Sequence, residues 1–450
     1  MTILETCAAV VGSDFVLTDD ETRRRAMSSW SPLWAKRGTD DNLPVCVVRP
    51  ADTAEVAAVL RRASESQTPV FAAGGNSNTV NSVGANVDIR QAVALDLARL
   101  DSLSWDEESL LVTAGSGNTL QSVEEQLNRH DYTLGFYGGS ARLATVGGAI
   151  AANAVGLFSG KQGRIVDLVA ALEAVLPTGD IVRTHLAPGA NAYYNVLSLF
   201  VGTEGRSGII TEATLLMRPV PEARAWAVFA YRTWNEAVDA ARLVHRSDAR
   251  PAATRVFDAQ SARSLLEKAE AAPLPRNGAL LLLGFEGEEI TQTGPYQLAY
   301  AICERAGGEA RSPLVGDVWF DNRESPGVWA ANGRPGGVGD VLAVSAPWSR
   351  FKTAADGLLR AVSPLVTSVS CQLCHAQMHG AALEIAWEAE ANPSTPEAAA
   401  QLYARVLERA HAACEASGAW PVHHYGIGQA HRDAFLQAIG PVAAQVLAVQ

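Results

Sequence analysis

The chain has 450 residues, 48% of them hydrophobic and 19% charged, more than the roughly 250–300 residues at which a single core stops growing, so two domains are expected. Its 36 Lys and Arg against 48 Asp and Glu leave a net charge of −12, which argues against a nucleic-acid partner or an anionic membrane surface and for small molecules. Six cysteines are too few for a disulfide framework, Glu5 and Asp14 sit where a signal peptide would be basic and then apolar, and no window approaches the ~18 apolar residues of a spanning helix; a reducing cytoplasm is the expectation.

Residues 1–43 read as a helical lead-in ending in the polar stretch 36–42, with Trp30, Pro32 and Trp34 as an aromatic segment. A strand at 44–50, a helix capped by Asp52 or Thr53 with Val56, Val59 and Leu60 on one face, and a strand at 68–73 follow. That strand runs into GGNSNTVNSVG (74–84), a loop of small residues whose backbone N–H groups suit a phosphate. The strand 110–115 continues into GSGNTL (115–120), which imitates half of a dinucleotide fingerprint. Leu120 stands where the third Gly belongs and no acidic residue follows a second strand ~20 positions on, so it reads as a structural turn.

A Gly-rich segment (137–156), a hairpin (168–184, turning at 177–180) and the run 199–222 come next, with Pro219 and Pro221 marking a boundary. From 223 to 420 strands alternate with Ala-rich helices, as at 226–231, 279–287 and 396–416, which reads as a second α+β domain. Six of the nine histidines (His375, His379, His411, His423, His424, His431) fall in the last 76 residues. Proton chemistry is therefore expected late in the chain.

Three ordered blocks, PVFAAGGNSNT, YGGSARLATVGGAIAANAVGLFSGKQGRIVDLVAALEAVLPTGDIVRT and FVGTEGRSGIITEATLLMRPVPE, resemble the FAD-binding domain of the vanillyl-alcohol oxidase / FAD-linked oxidase superfamily. In the later part, SAPW (345–348), CQLCHAQMHGAALEI (371–385) and VHHYGIGQAHR (422–432) resemble the alkylglycerone-phosphate synthase group, related to glycolate oxidase and D-lactate dehydrogenase subunits. The resemblance implies an α+β protein: a PCMH-type, two-subdomain FAD-binding domain (44–222), a cap with an antiparallel sheet (223–420) and a C-terminal return (421–450). It implies pyrophosphate contacts from Phe71, Ala72, Ala73, Gly74, Gly75, Asn76 and Ser77. Further FAD contacts would come from Gly138, Gly139, Ser140, Ala144 and Thr145, from Ala152, Asn153 and Val155, and from Glu204, Gly205, Ile209 and Ile210. Asn76 stands where several relatives carry a flavin-linking His, so the FAD is expected to be non-covalent.

Four departures bear on activity. Gln372 replaces the Arg that follows the cysteine in the synthase group, and an amide cannot replace a bidentate phosphate clamp. Glu384 replaces a Tyr, a run of three His becomes His423, His424 and Tyr425, and the family-typical Asp-Pro…Asn-Pro-Gly ending is not found in LAVQ (447–450).

For oxidation of an alcohol or 2-hydroxy acid the cofactor takes a hydride equivalent and a side chain handles the proton. His423, His424 and Tyr425, ahead of the GIG turn at 426–428, are the candidates, joined by His375 and Glu384. The C-x-x-C-H at 371–375 also matches a haem attachment signature, and its Cys pair with His375 and His379 a zinc set. Haem attachment needs an exported chain and zinc a second Cys pair, so no metal is assigned, although His375, Glu384 and His424 approximate the metal set of the hydroxy-acid dehydrogenases. Strand alternation puts Cys371, Leu373 and His375 on one face and Gln372, Cys374 and Ala376 on the other, with His375 toward the flavin cavity. Trp319, Phe320, Trp329, Trp348 and Trp387 read as cap core or as an aromatic pocket. An unpaired Glu384 would repel a carboxylate, which favours an alcohol, amine or phenol.

The expected function is an FAD-dependent oxidoreductase using O2 or another electron acceptor, able to form a homodimer. The alternatives are a synthase-like non-redox substitution and a non-catalytic flavin protein.

Overall fold

The computed structural model describes residues 2–27, 42–84, 87–189, 195–325 and 327–448; Trp30, Pro32, Trp34 and positions 36–41 lie outside them. The lead-in is more than helical. Between the helices Ile3–Val11 and Asp20–Ala26, the two residues Val16–Leu17 (β1) join Cys46–Val48 (β2), Val70–Ala73 (β3) and Val93–Asp96 (β4) in a sheet of order β1-β2-β4-β3. β1 pairs antiparallel to β2, whereas β2, β4 and β3 run parallel. Parallel neighbours need a crossover, and the helix Thr53–Glu65, capped by Asp52, leads from β2 to β3. Its Val56, Val59 and Leu60 pack with Cys7 and Val11 of the first helix in one apolar cluster.

Leu103–Asp106 (β5), Leu111–Gly115 (β6), Tyr132–Thr133 (β7), Val169–Val175 (β8), Ile181–Arg183 (β9), Ile209–Leu216 (β10) and Arg218–Pro219 (β11) follow. The order β5-β6-β10-β8-β9 is antiparallel throughout, with β7 paired to β11 alongside. The expected hairpin is β8–β9. GSGNTL is the expected turn: a Cβ on Gly117 would lie 2.1 Å from the Leu97 carbonyl oxygen, so glycine permits the chain to pass there.

The cap holds Ala223–Tyr231 (β12), Ala253–Asp258 (β13), Ala279–Gly287 (β14), Glu309–Ala310 (β15), Gly337–Pro347 (β16), Ser368–Cys374 (β17) and Gly380–Glu390 (β18). These form one antiparallel sheet, β15-β12-β14-β13-β17-β18-β16. Val256, Leu373, Leu383 and Val344 stand opposite one another across four strands and bury one face against the helices Trp234–His245, Glu289–Arg305, Trp348–Val362 and Pro396–Ser417. Each fully buried aliphatic side chain there contributes about 1.5–3 kcal/mol. One residue along, Phe257, Gln372, Glu384 and Ala343 are opposed in register. Alternation turns these four the other way, toward the first half of the chain. Among the described residues no helix is long and apolar enough to cross a membrane.

Candidate active site

A cavity of about 1390 Å³ lies between the glycine-rich loops and the second face of the cap sheet. Ordinary ligand pockets run to about 300–1,000 Å³, so a dinucleotide and a substrate fit here together. Phe71, Ala72, Gly74, Gly75, Asn76 and Ser77 line it, as do Gly138, Gly139, Ser140, Ala144 and Thr145. Ala152, Val155, Glu204, Gly205, Ile209 and Ile210 complete that wall. Two of the expected contacts do not reach it: Ala73 is buried in the apolar cluster behind β3, and the Asn153 carbonyl accepts from Arg164 Nη2 at 2.8 Å.

The loop after β3 fits a pyrophosphate for a specific reason. A Cβ on Gly75 would fall 1.4 Å from the Leu143 carbonyl oxygen and one on Gly74 2.6 Å from Thr145 Oγ1. Only glycines let the two loops lie flush, with backbone rather than side chains toward the cavity. Asn76 adopts φ 50°, its amide donates to the Arg25 carbonyl at 2.8 Å, and its Oδ1 is buried without a partner among the described residues, leaving a polar atom available to a ligand. The donor set on this side, with Ser77, Ser140, Thr145, Arg142 and Arg206, suits an anionic dinucleotide.

The cap side carries the titratable groups. Arg255 of β13 donates from Nη1 to Glu384 Oε2 at 2.8 Å, and His424 Nε2 donates to Glu384 Oε1 at 2.9 Å. Arg255, Glu384 and His424 are 7%, 6% and 6% exposed. Burial alone would raise the Glu384 carboxyl, but the guanidinium and the His424 hydrogen bond overcome it and hold the group well below the usual carboxylate range. Tyr425 makes a longer contact, its hydroxyl 3.4 Å from Glu384 Oε1; burial, then the Glu384 charge, push its phenol well above the ordinary value. His424 Nδ1 is 2.8 Å from His423 Nδ1. Both ring nitrogens of His424 are therefore engaged.

His375, Glu384, His424 and Tyr425 line the cavity, but His423 does not. It faces a second cavity of about 1050 Å³ beside the helix Pro396–Ser417, which His375 also borders. His375 reaches the main cavity by a route that alternation does not supply. Cys371 and Leu373 point into the apolar core, and alternation would bury His375 with them; β17 instead ends at Cys374 and His375 takes φ 45°. Its Nδ1 lies 2.7 Å from Ser159 Oγ of the first half, its ring stacks on His423 at 5.4 Å, and its Nε2 makes no hydrogen bond among the described residues. Burial, reinforced by His424 and Arg255, drives its pKa well below the ordinary imidazole value.

Arg255 is the residue that sequence reasoning missed. Its signal was a lone charge inside the apolar strand ATRVFD, where an unpaired guanidinium would not be tolerated. Trp319 and Trp329 line the cavity, whereas Trp387 is core and Phe320 joins a cluster of buried aromatics under the sheet. Trp348 packs at the margin of the core, its Nε1 3.0 Å from the Gln377 carbonyl. All six cysteines are buried and free, and no group of three or more His, Cys, Asp or Glu among the described residues is placed to hold a metal.

Comparison with known proteins bears on this two-sided site. Residues 44–185 match the model "FAD binding domain" and residues 220–448 the model "FAD linked oxidases, C-terminal domain". Alkyldihydroxyacetonephosphate synthase of Caenorhabditis elegans is 29% identical over 225 residues, 50% of this chain and 38% of that one. D-lactate dehydrogenase of Archaeoglobus fulgidus is 34% identical over 200 residues, 44% of this chain and 43% of that one. The matched region thus spans about two fifths of the length of these relatives. In fold, the chain is similar to a solved alkyldihydroxyacetonephosphate synthase, with TM-score 0.82, 21% identity and coverage of 96% of this chain and 83% of that one. It is also similar to p-cresol methylhydroxylase, with TM-score 0.78, 16% identity and coverage of 99% and 92%. The chain belongs to the FAD-linked oxidase family, and its cofactor is FAD.

Proposed function

We propose that the protein oxidises a small alcohol-type or hydroxy-acid substrate held between the glycine-rich loops and the cap sheet, with His375 taking the proton and Tyr425 orienting the substrate oxygen. FAD, when bound, supplies the acceptor for the hydride equivalent. One observation carries the reading: Glu384 is occupied by Arg255 and His424, and His424 by Glu384 and His423. The His375 Nε2 and the Tyr425 hydroxyl, held to Glu384 only by a long 3.4 Å contact, are the groups placed to meet a substrate. A neutral imidazole is a competent proton acceptor, whereas a phenol whose pKa is raised stays protonated and serves as a hydrogen-bond donor.

The same geometry bears on the substrate. The guanidinium beside these residues is already paired with Glu384, so it does not await a substrate carboxylate, which supports a neutral alcohol or phenol over a simple 2-hydroxy acid. A synthase-like substitution lacks its phosphate clamp, because Gln372 faces the cavity and Arg255 is committed. Anaerobic mixing of the yellow holoenzyme with a panel of alcohols, phenols and 2-hydroxy acids tests the reading. Bleaching by members of the panel is the expected result, and turnover without bleaching, or an unresponsive flavin across the panel, refutes it.

A further inference from the structure

The turn that carries the candidate histidines and Tyr425 is fastened to the first half of the chain by a carboxylate. Glu204, in the loop before β10, accepts on Oε1 from the Ile427 N–H at 2.6 Å and the Gly428 N–H at 2.9 Å, with Oε2 3.1 Å from the same Gly428 nitrogen. The fit leaves no slack. Gly426 has φ 87°, and a Cβ there would stand 2.4 Å from Glu204 Oε1. Gly428 has φ 49°, and its Cβ would meet the Val80 carbonyl at 2.1 Å. Two further ties hold the same segment: the Val80 carbonyl accepts from the Gln429 and Ala430 N–H groups at 3.1 and 3.2 Å, and Arg164 Nη2 donates to the His423 carbonyl at 2.9 Å. Tyr425 itself is held at φ 74°, a conformation a non-glycine residue keeps only when its surroundings impose it.

We infer that Glu204 is a positioning residue, a latch from the FAD domain that sets the 423–428 turn and through it the Tyr425 hydroxyl and the His424 ring. Its carboxylate is committed to the turn. The cofactor domain thereby aims the Tyr425 hydroxyl and the His424 ring, so the two halves of the site are built as one unit. This rests on the reading above that Tyr425 and His375 act on substrate, but the latch has a readout of its own.

That readout is amide hydrogen exchange of the holoenzyme, followed at Ile427 and Gly428 in wild type, Glu204→Gln and Glu204→Ala. A hydrogen bond to a charged group contributes about 1.5–3 kcal/mol, so its loss should speed exchange of these two amides by about 10- to 100-fold in Glu204→Ala. Glu204→Gln retains an oxygen at the same reach and should restore part of the protection. The limiting rate of anaerobic flavin reduction should fall in the same order while flavin content holds. Unchanged exchange at Ile427 and Gly428, or release of FAD from both variants, overturns the latch. If no substrate ever reduces the flavin, the oxidation reading fails while the exchange result still decides the latch.

Discussion

Arg255→Met removes the guanidinium that compensates a buried carboxylate and leaves a side chain of similar reach in its place. Glu384 is 6% exposed and its Oε2 takes its hydrogen bond from Arg255 at 2.8 Å. Two unit charges about 4 Å apart attract by about 4 kcal/mol at an effective dielectric constant of 20, and breaking a buried pair by deleting one member costs about 3–5 kcal/mol because the other charge is stranded. Arg255→Met should therefore destabilise the cap by about 3–5 kcal/mol. Glu384→Gln should also destabilise, by stranding the guanidinium. The double variant Arg255→Met/Glu384→Gln strands neither charge and should recover most of the loss, giving a large favourable coupling in the cycle. Urea unfolding at neutral pH with saturating FAD, followed by tryptophan fluorescence, measures it, since Trp319 lies 5.7 Å from the guanidinium. A loss below about 1 kcal/mol in Arg255→Met, the level of an exposed pair, or a double variant no more stable than the weaker single one, would refute the argument.

Three further outcomes follow from the same geometry. His375→Gln should slow anaerobic flavin reduction by about 10²- to 10⁴-fold, the usual worth of a positioned base, with FAD retained; a fall under tenfold would remove His375 from the proton step. The pH profile should lack an imidazole limb near the ordinary value, because burial drives His375 well below it and His423 to about 2. A base with a depressed pKa is neutral above that pKa and is lost only as pH falls through it, so reduction rates should stay level through the ordinary imidazole range, and a midpoint near 6.5 would count against His375. Gly75→Ala would push a Cβ to 1.4 Å from the Leu143 carbonyl, so the purified variant should carry little or no flavin; a full flavin-to-protein ratio would show that the two loops need not lie flush.

What the sequence revealed and what it hid divide along physical lines. The glycine-rich loops were legible because backbone exposure is written locally: Gly74, Gly75 and Ser77 need no distant partner to announce a loop that can approach a phosphate. The β8–β9 hairpin and the helix Thr53–Glu65 were legible for the same reason, through turn residues and one-sided periodicity. Strand β1 was not, since two residues carry no period and its pairing with Val48 is non-local. His375 was assigned to the right cavity by the wrong face, because alternation holds only while a strand continues and β17 stops one residue earlier. Arg255 and Glu384 are 129 positions apart, and only the strand order β13-β17-β18 brings them together.

That pairing also answers the question posed by the cap's departures. Gln372 leaves the cavity face of β17 without a cation, while Arg255 arrives on the neighbouring strand β13. The guanidinium is not a relocated phosphate clamp: its Nη1 is committed to a carboxylate at 2.8 Å, and releasing it would strand a buried charge at a cost of about 3–5 kcal/mol. The charges beside Tyr425 close on themselves, Arg255 to Glu384 and Glu384 to His424, while Lys268, Arg323, Glu324 and Glu388 are further charged cap residues that line the cavity. A substrate that is neutral at its reacting end needs no counter-charge from the Arg255–Glu384 pair, whereas an anionic one would have to draw on a cation elsewhere in the cavity.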